Sequence, residues 1–170
     1  LLILLFSFPA FAQTENNISI RITDTDPSAA SVLNAREPLY IRIAYESNIP
    51  LRFQAQSPFN DTGKRGTAMN PAPVYPAGNG EAIAWIAFDK QSSIDEIHLH
   101  IFDENWKQIE TLIHPVSMQW NGVIPATWRE PAAWAKELNS RQQNMTSSSM
   151  QAMTGETGVF WGVLIMLMGW

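Results

Sequence analysis

Beginning at Ile18 the chain alternates: Ile18, Ile20 and Ile22 fall on one side, and Ser19, Arg21 and Thr23 on the other. Side chains of an extended chain point alternately to its two faces, so this period of two predicts a strand half-buried in a sheet. Residues 39–45 repeat it, with Leu39, Ile41, Ile43 and Tyr45 inward and Arg42 outward, ahead of an outward Glu46. After Asn48-Ile49-Pro50, Leu51, Phe53 and Ala55 alternate with Arg52, Gln54 and Gln56, so these two runs are expected to form a hairpin.

The stretch 57–80 carries Pro58, Gly63, Gly66, Pro71, Pro73, Pro76, Gly78 and Gly80, a density that breaks ladders and predicts long loops with at most a short edge strand. Alternation then resumes. Residues 82–88 are apolar on both faces, as a central strand requires; residues 95–102 bury Ile97, Leu99 and Ile101; residues 108–116 are expected to bury Ile109, Thr111 and Ile113. Asp103-Glu104-Asn105 reads as the hairpin turn between the last two. The implied fold class is all-β: an immunoglobulin-like antiparallel β-sandwich of about seven strands. A jelly roll or small barrel carries the same alternation, and the cysteine pair of true immunoglobulin domains is absent.

Both ends depart from this pattern. Residues 1–12 open with an apolar run, Leu1 to Phe6, and finish on Ala10-Phe11-Ala12, the h-region and small-residue cleavage site of a signal peptide cut after Ala12. The sequence starts without an initiator Met or a basic n-region, so the expectation is that its first residues are missing. Residues 158–170 contain no charged residue and include Trp161; they read as the start of a transmembrane helix, which needs about 20 apolar residues in all. Between the sandwich of residues 13–118 and that segment lies a connector, 119–157. Pro131 and the helix formers of 132–141 predict a short helix there, with Trp134 and Leu138 on one face, followed by a flexible spacer over 144–157.

Composition narrows the setting. Residues 13–118 hold eight Lys/Arg against thirteen Asp/Glu, which accounts for the whole formal net charge of −5 among 170 residues and argues against nucleic acid as a partner. The absence of cysteine excludes disulfides and cysteine-zinc sites. An exported, cysteine-free domain points to a bacterial periplasm, with the C-terminal helix anchoring it in the inner membrane.

Three constellations carry candidate chemistry. His98 and His100 alternate on one predicted strand and His114 lies on the next, a pattern suited to copper or zinc, with Met118 as a soft copper ligand; the plainer alternative is histidines on the solvent face of a hairpin. Asp24 and Asp26, with Asp103 and Glu104 in another loop, offer carboxylates for calcium, although acids in turns ordinarily bond the nearby backbone. Phe59 and Tyr75 are expected to be exposed aromatics in the Pro/Gly-rich loops, available to a partner. No nucleophile elbow, phosphate loop or H-E-x-x-H helix occurs, and no cofactor motif is present. The expected function is non-catalytic: a membrane-anchored extracytoplasmic module for interaction or sensing, whose partner is a protein at or near the membrane surface. The rival is a periplasmic copper- or zinc-binding domain using the three histidines.

Overall fold

A computed structural model describes residues 17–28, 30–58 and 68–156, with the backbone alone for 149–156. The segments expected to be a signal peptide and a membrane span lie outside the described residues, and so does Phe59. Among the described residues, no helix is long and apolar enough to cross a membrane.

Among the described residues, eight strands form two four-stranded sheets. The first, sheet A, has the order β1 (Ile18–Asp26), β3 (Leu39–Ser47), β6 (Gly78–Ala87), β5 (Ala68–Met69). The second, sheet B, has the order β2 (Ser31–Leu33), β8 (Gln108–Trp120), β7 (Ser92–Asp103), β4 (Leu51–Gln56). Every pairing is antiparallel except β2 with β8. Leu39, Ile41 and Ile43 of sheet A and Leu51, Phe53, Ile97, Leu99 and Ile101 of sheet B are fully buried in one cluster, so the inner faces share a single core, as the expected β-sandwich requires.

Two expectations change. The runs around Asn48-Ile49-Pro50 are not a hairpin: β3 pairs with β1 and β6, whereas β4 pairs with β7, so this link carries the chain from one sheet to the other. Alternation identifies the buried face of a strand but not its neighbour. Tyr45 and Phe53 meet across the core with ring centroids 5.5 Å apart, a contact that a change of sheet permits. In β8 the register shifts between Ile101 and Phe102 of its partner, so Ile109 packs on the core but Leu112, Val116, Met118 and Trp120 follow on the inner side. Thr111 and Ile113, expected inside, therefore face out, because one extra residue in a strand inverts every side chain beyond it.

The connector is longer in structure and more tightly held than its composition suggests. α1 spans Ala133–Glu156, so the expected spacer from 144 onward continues the helix. Its weak helix formers are accommodated by back-bonding: the hydroxyls of Thr146, Ser147 and Ser148 donate to the carbonyls of Gln142, Gln143 and Asn144 at 2.9–3.0 Å. Ala135 and Leu138 pack on Ile83, with Tyr40 and Trp134 at the margin, laying the helix over the outer face of sheet A.

Its entry point is fixed by charge. Arg129 donates through Nη1 to Asp26 at 2.6 Å and through Nε to Glu37 at 2.7 Å. The remaining carboxylate oxygens are also used: Glu37 Oε2 accepts from the backbone and side-chain nitrogens of Asn34, and Asp26 Oδ2 accepts the N–H of Ala132 at the head of the helix. Burial alone would lower the pKa of Arg129, but hydrogen bonds to Asp26 and Glu37 and their negative charges outweigh it and raise the value. Breaking such a cluster leaves buried, unneutralised acids. Arg129→Ala should therefore lower the unfolding free energy, measured by urea titration, by about 3 kcal/mol. Lys136→Ala, which removes an ion pair with exposed Glu130, should change it by less than about 1 kcal/mol.

Candidate binding face

The Pro/Gly-rich stretch after β5 proves to be a seam between the sheets. Asn70 is buried; its Nδ2 donates to Phe53 O at 2.7 Å, and its Oδ1 accepts from Ala55 N and Trp85 N, so one amide joins β4 to β6. Tyr75 exchanges backbone bonds with Leu51 at 2.8 and 3.0 Å and reaches the backbone of Ile83 with its phenol. Only 5% of its surface is exposed, which corrects the expectation of a free aromatic. Burial raises the pKa of that phenol, with hydrogen bonds to Ile83 and Gln142 partly opposing it, so it stays a neutral donor. A hydroxyl near the free edge of β6 does the work of a missing strand there, an arrangement that sequence pattern does not reveal.

The acidic loops are occupied by the protein itself. Asp26 is committed to Arg129 and Ala132, while Asp103 Oδ1 accepts the N–H groups of Asn105 and Lys107. They also stand at opposite ends of the sheets, since Asp26 pairs with Tyr40 at the start of β3 and Asp103 with Leu51, just after its end. Nor do the histidines converge. His98 and His100 share the outer face of sheet B, their rings 6.2 Å apart, but His114 is registered with Ile97, a fully buried residue, and so belongs to the inner side. His98 contacts Glu96 at 2.8 Å and His100 contacts Thr111 at 3.0 Å. Among the described residues no three His, Cys, Asp or Glu side chains are grouped to hold a metal ion.

Beside α1 lies a cleft of about 200 Å³ between the helix and β6, walled by Tyr45, Tyr75, Leu138, Arg141 and Met145. Its polar groups are largely spent: Tyr45 donates to Pro76 O, Tyr75 bonds Ile83, and Arg141 lies between Glu137 and Glu81. On the outer face of sheet B the polar groups also bond one another, Gln56 to Gln54 and both His100 and Gln108 to Thr111, but here they border a column of rings. Register builds it as rows across three strands: Arg52, Phe102 and Gln108; then Gln54, His100 and Thr111; then Gln56, His98 and Ile113. Ile113 is 62% exposed. Along β7 the rings form a column, with His100 and Phe102 centroids 6.2 Å apart and Phe102 and Trp106 5.5 Å apart.

Trp106, in the β7–β8 turn, stands out by its backbone conformation. Asp103 fixes the turn, which puts residue 106 at φ 66°, a left-handed conformation where glycine is the inexpensive choice and a bulky side chain is strained. Among the described residues, two other non-glycine residues share such angles, Arg36 and Ala72, but there tertiary hydrogen bonds to Phe88 and from Arg52 hold the backbone. Trp106 is 49% exposed, and Arg52 lies 4.8 Å from its ring centroid. Sequence reading placed this turn correctly and missed its tryptophan, because backbone angle is set by the turn as a whole.

No known protein family matches the chain, and no curated protein is significantly similar to it in sequence.

If Trp106 is retained for binding, removing it should not weaken the fold. Trp106→Gly relieves strain of about 1–2 kcal/mol, against loss of ring and guanidinium contacts of about 0.5–1 kcal/mol each. Urea unfolding should show stability unchanged within about 1 kcal/mol; a larger drop would make Trp106 a structural residue.

Proposed function

We propose that this protein is a non-catalytic binding or sensing module, immunoglobulin-like in topology and held outside the cytoplasm at the periplasmic side of the inner membrane, that takes its partner or ligand on the outer face of sheet B. The carrying observation is the inequality of the two outer faces. Sheet A is covered by α1 through Ile83, Ala135 and Leu138, whereas sheet B presents a column of rings flanked by amides and a hydroxyl with no described element packed over it. A large exposed surface that the fold leaves uncovered is where association is least costly.

The strand order supports the topological reading. Numbering strands A, A′, B, C, D, E, F and G along the chain gives sheets A-B-E-D and A′-G-F-C, matching the constant-type arrangement with its first strand split between sheets. The cellular reading rests on the apolar segments 1–12 and 158–170. α1 leads from Asp26 at one end of sheet A toward Tyr45 and Met145 at the other, so the chain heads for the apolar segment from the same end that carries the 103–107 turn. An anchor of that kind confines the module to one surface and raises its effective concentration there.

The test places a photoreactive benzophenone amino acid at Ile113, or at exposed Glu137 on α1, in the full-length protein in intact cells. Benzophenone inserts into carbon–hydrogen bonds, so either a protein or a glycan is captured. A discrete adduct from the Ile113 position and none from Glu137 is expected, in a processed chain recovered with the membrane fraction. Equal labelling at both positions, no adduct at Ile113, or recovery of an unprocessed soluble chain would overturn the proposal.

A further inference from the structure

The chemistry of the same face is specific enough to name a ligand class, an inference that rests on the binding reading above. We infer that the outer face of sheet B binds a neutral glycan chain, with Trp106 as its stacking platform. Charge is the first argument. The three registered rows contain a single formal charge, Arg52, and that guanidinium is already held by the carbonyls of Glu104 and Ala72. Glu96, next to these rows on β7, is in contact with His98 at 2.8 Å, so one cation and one acid give the face no single-sign field with which to gather phosphate, nucleic acid or an acidic peptide. It complements an uncharged ligand.

The mixture of groups points the same way. The middle of a protein–protein interface is ordinarily apolar, with polar residues at its rim. Here polar groups enter the middle as well: His100 stands within the ring column of β7, between Gln54 and Thr111, and Ile113 lies at one corner. These groups are already cross-bonded, Gln56 Nε2 to Gln54 Oε1 and both His100 and Gln108 to Thr111 Oγ1, so they form an ordered edge of amide, imidazole and hydroxyl that both donates and accepts, as a ligand edged with hydroxyls does. A sugar ring also has a face of carbon–hydrogen bonds, and an aromatic ring supplies a flat apolar surface to stack against it while its margin stays wet.

Trp106 itself adds to this. It occupies a left-handed position without being buried, at the end of a column whose ring centroids follow one another at 6.2, 6.2 and 5.5 Å. Strain of this kind clusters at ligand clamps. The column runs along β7 and the amides of Gln54 and Gln56 run beside it on β4, so the polar and stacking groups extend together in one direction, as an elongated chain of similar units requires.

Isothermal titration of the full chain, in a detergent without a sugar headgroup, against cellohexaose, maltohexaose and chitohexaose tests this. At least one hexasaccharide should bind saturably, with an affinity insensitive to salt and about tenfold weaker in both Trp106→Gly and Gln54→Ala. Circular dichroism of each variant establishes that it is folded. Failure of all three sugars to bind, or binding undiminished in folded Trp106→Gly, overturns the inference. So does Trp106-dependent binding to phosphatidylglycerol vesicles in place of sugar, which would assign the face to lipid. The Ile113 adduct separates the two levels of reading: a captured protein without sugar overturns the glycan and leaves the binding face standing, whereas no adduct removes both.

Discussion

Arg129 joins stretches of chain that the sequence keeps far apart. Its guanidinium lies between a carboxylate that ends β1 and one in the turn ahead of β3, and the residue itself belongs to the connector beyond β8. Asp26 and Glu37 are buried while Arg129 is about a third exposed, and burying two carboxylates is costly unless their oxygens are bonded. Each oxygen of Asp26 and Glu37 has a partner, and the second oxygen of Asp26 takes the N–H that heads α1. Trp120, fully buried at the end of β8, donates its indole N–H to the carbonyl of Glu37, tying the last strand to the same turn. The position of the helix over sheet A follows from this cluster, and the freedom of sheet B follows from the position of the helix.

The strands were legible and their partners were not. Alternation located the strands beginning at Ile18, Leu39 and Leu51 and the pair around Asp103, because burial on one face leaves a local mark every second residue. It failed where information is non-local. The link at Asn48-Ile49-Pro50 has the composition of a hairpin turn, and only the long-range pairing of β3 with β1 and β6 and of β4 with β7 distinguishes a change of sheet. β2 is too short to show a period, and the shift beside Phe102 inverted the inside and outside of β8.

The candidate site divides in the same way. His98 and His100 share one face, as residues two apart on a strand must, whereas His114 was separated from them by that register shift. Tyr75 lay in a segment rich in proline and glycine, a composition that signals loops, and loops are ordinarily exposed. The segment instead runs beside the unpaired edges of β4 and β6, where buried backbone groups demand partners, and Asn70 and Tyr75 supply them. The helix over 144–156 was unreadable for a related reason: serine and threonine hydroxyls that usually compete with a helix here bond to the carbonyls one turn back.

The groups that stabilise the fold thus stand apart from the face proposed for binding. The groups that hold the fold together are the inner faces, the Arg129 cluster and the Asn70–Tyr75 seam, and none of their side chains lies in the rows across β4, β7 and β8. Arg52 is the point of contact between the two sets, since it fastens the seam at Ala72 and also backs the Trp106 ring. A side chain fixed from behind has little freedom left to lose, so in the proposed binding the Trp106 ring would be held in a set orientation beforehand. The same coupling explains how a tryptophan can be kept at a left-handed turn position. The strain is local to a hairpin whose backbone Asp103 already over-determines, and it is carried by a domain whose core does not depend on that hairpin's outer surface.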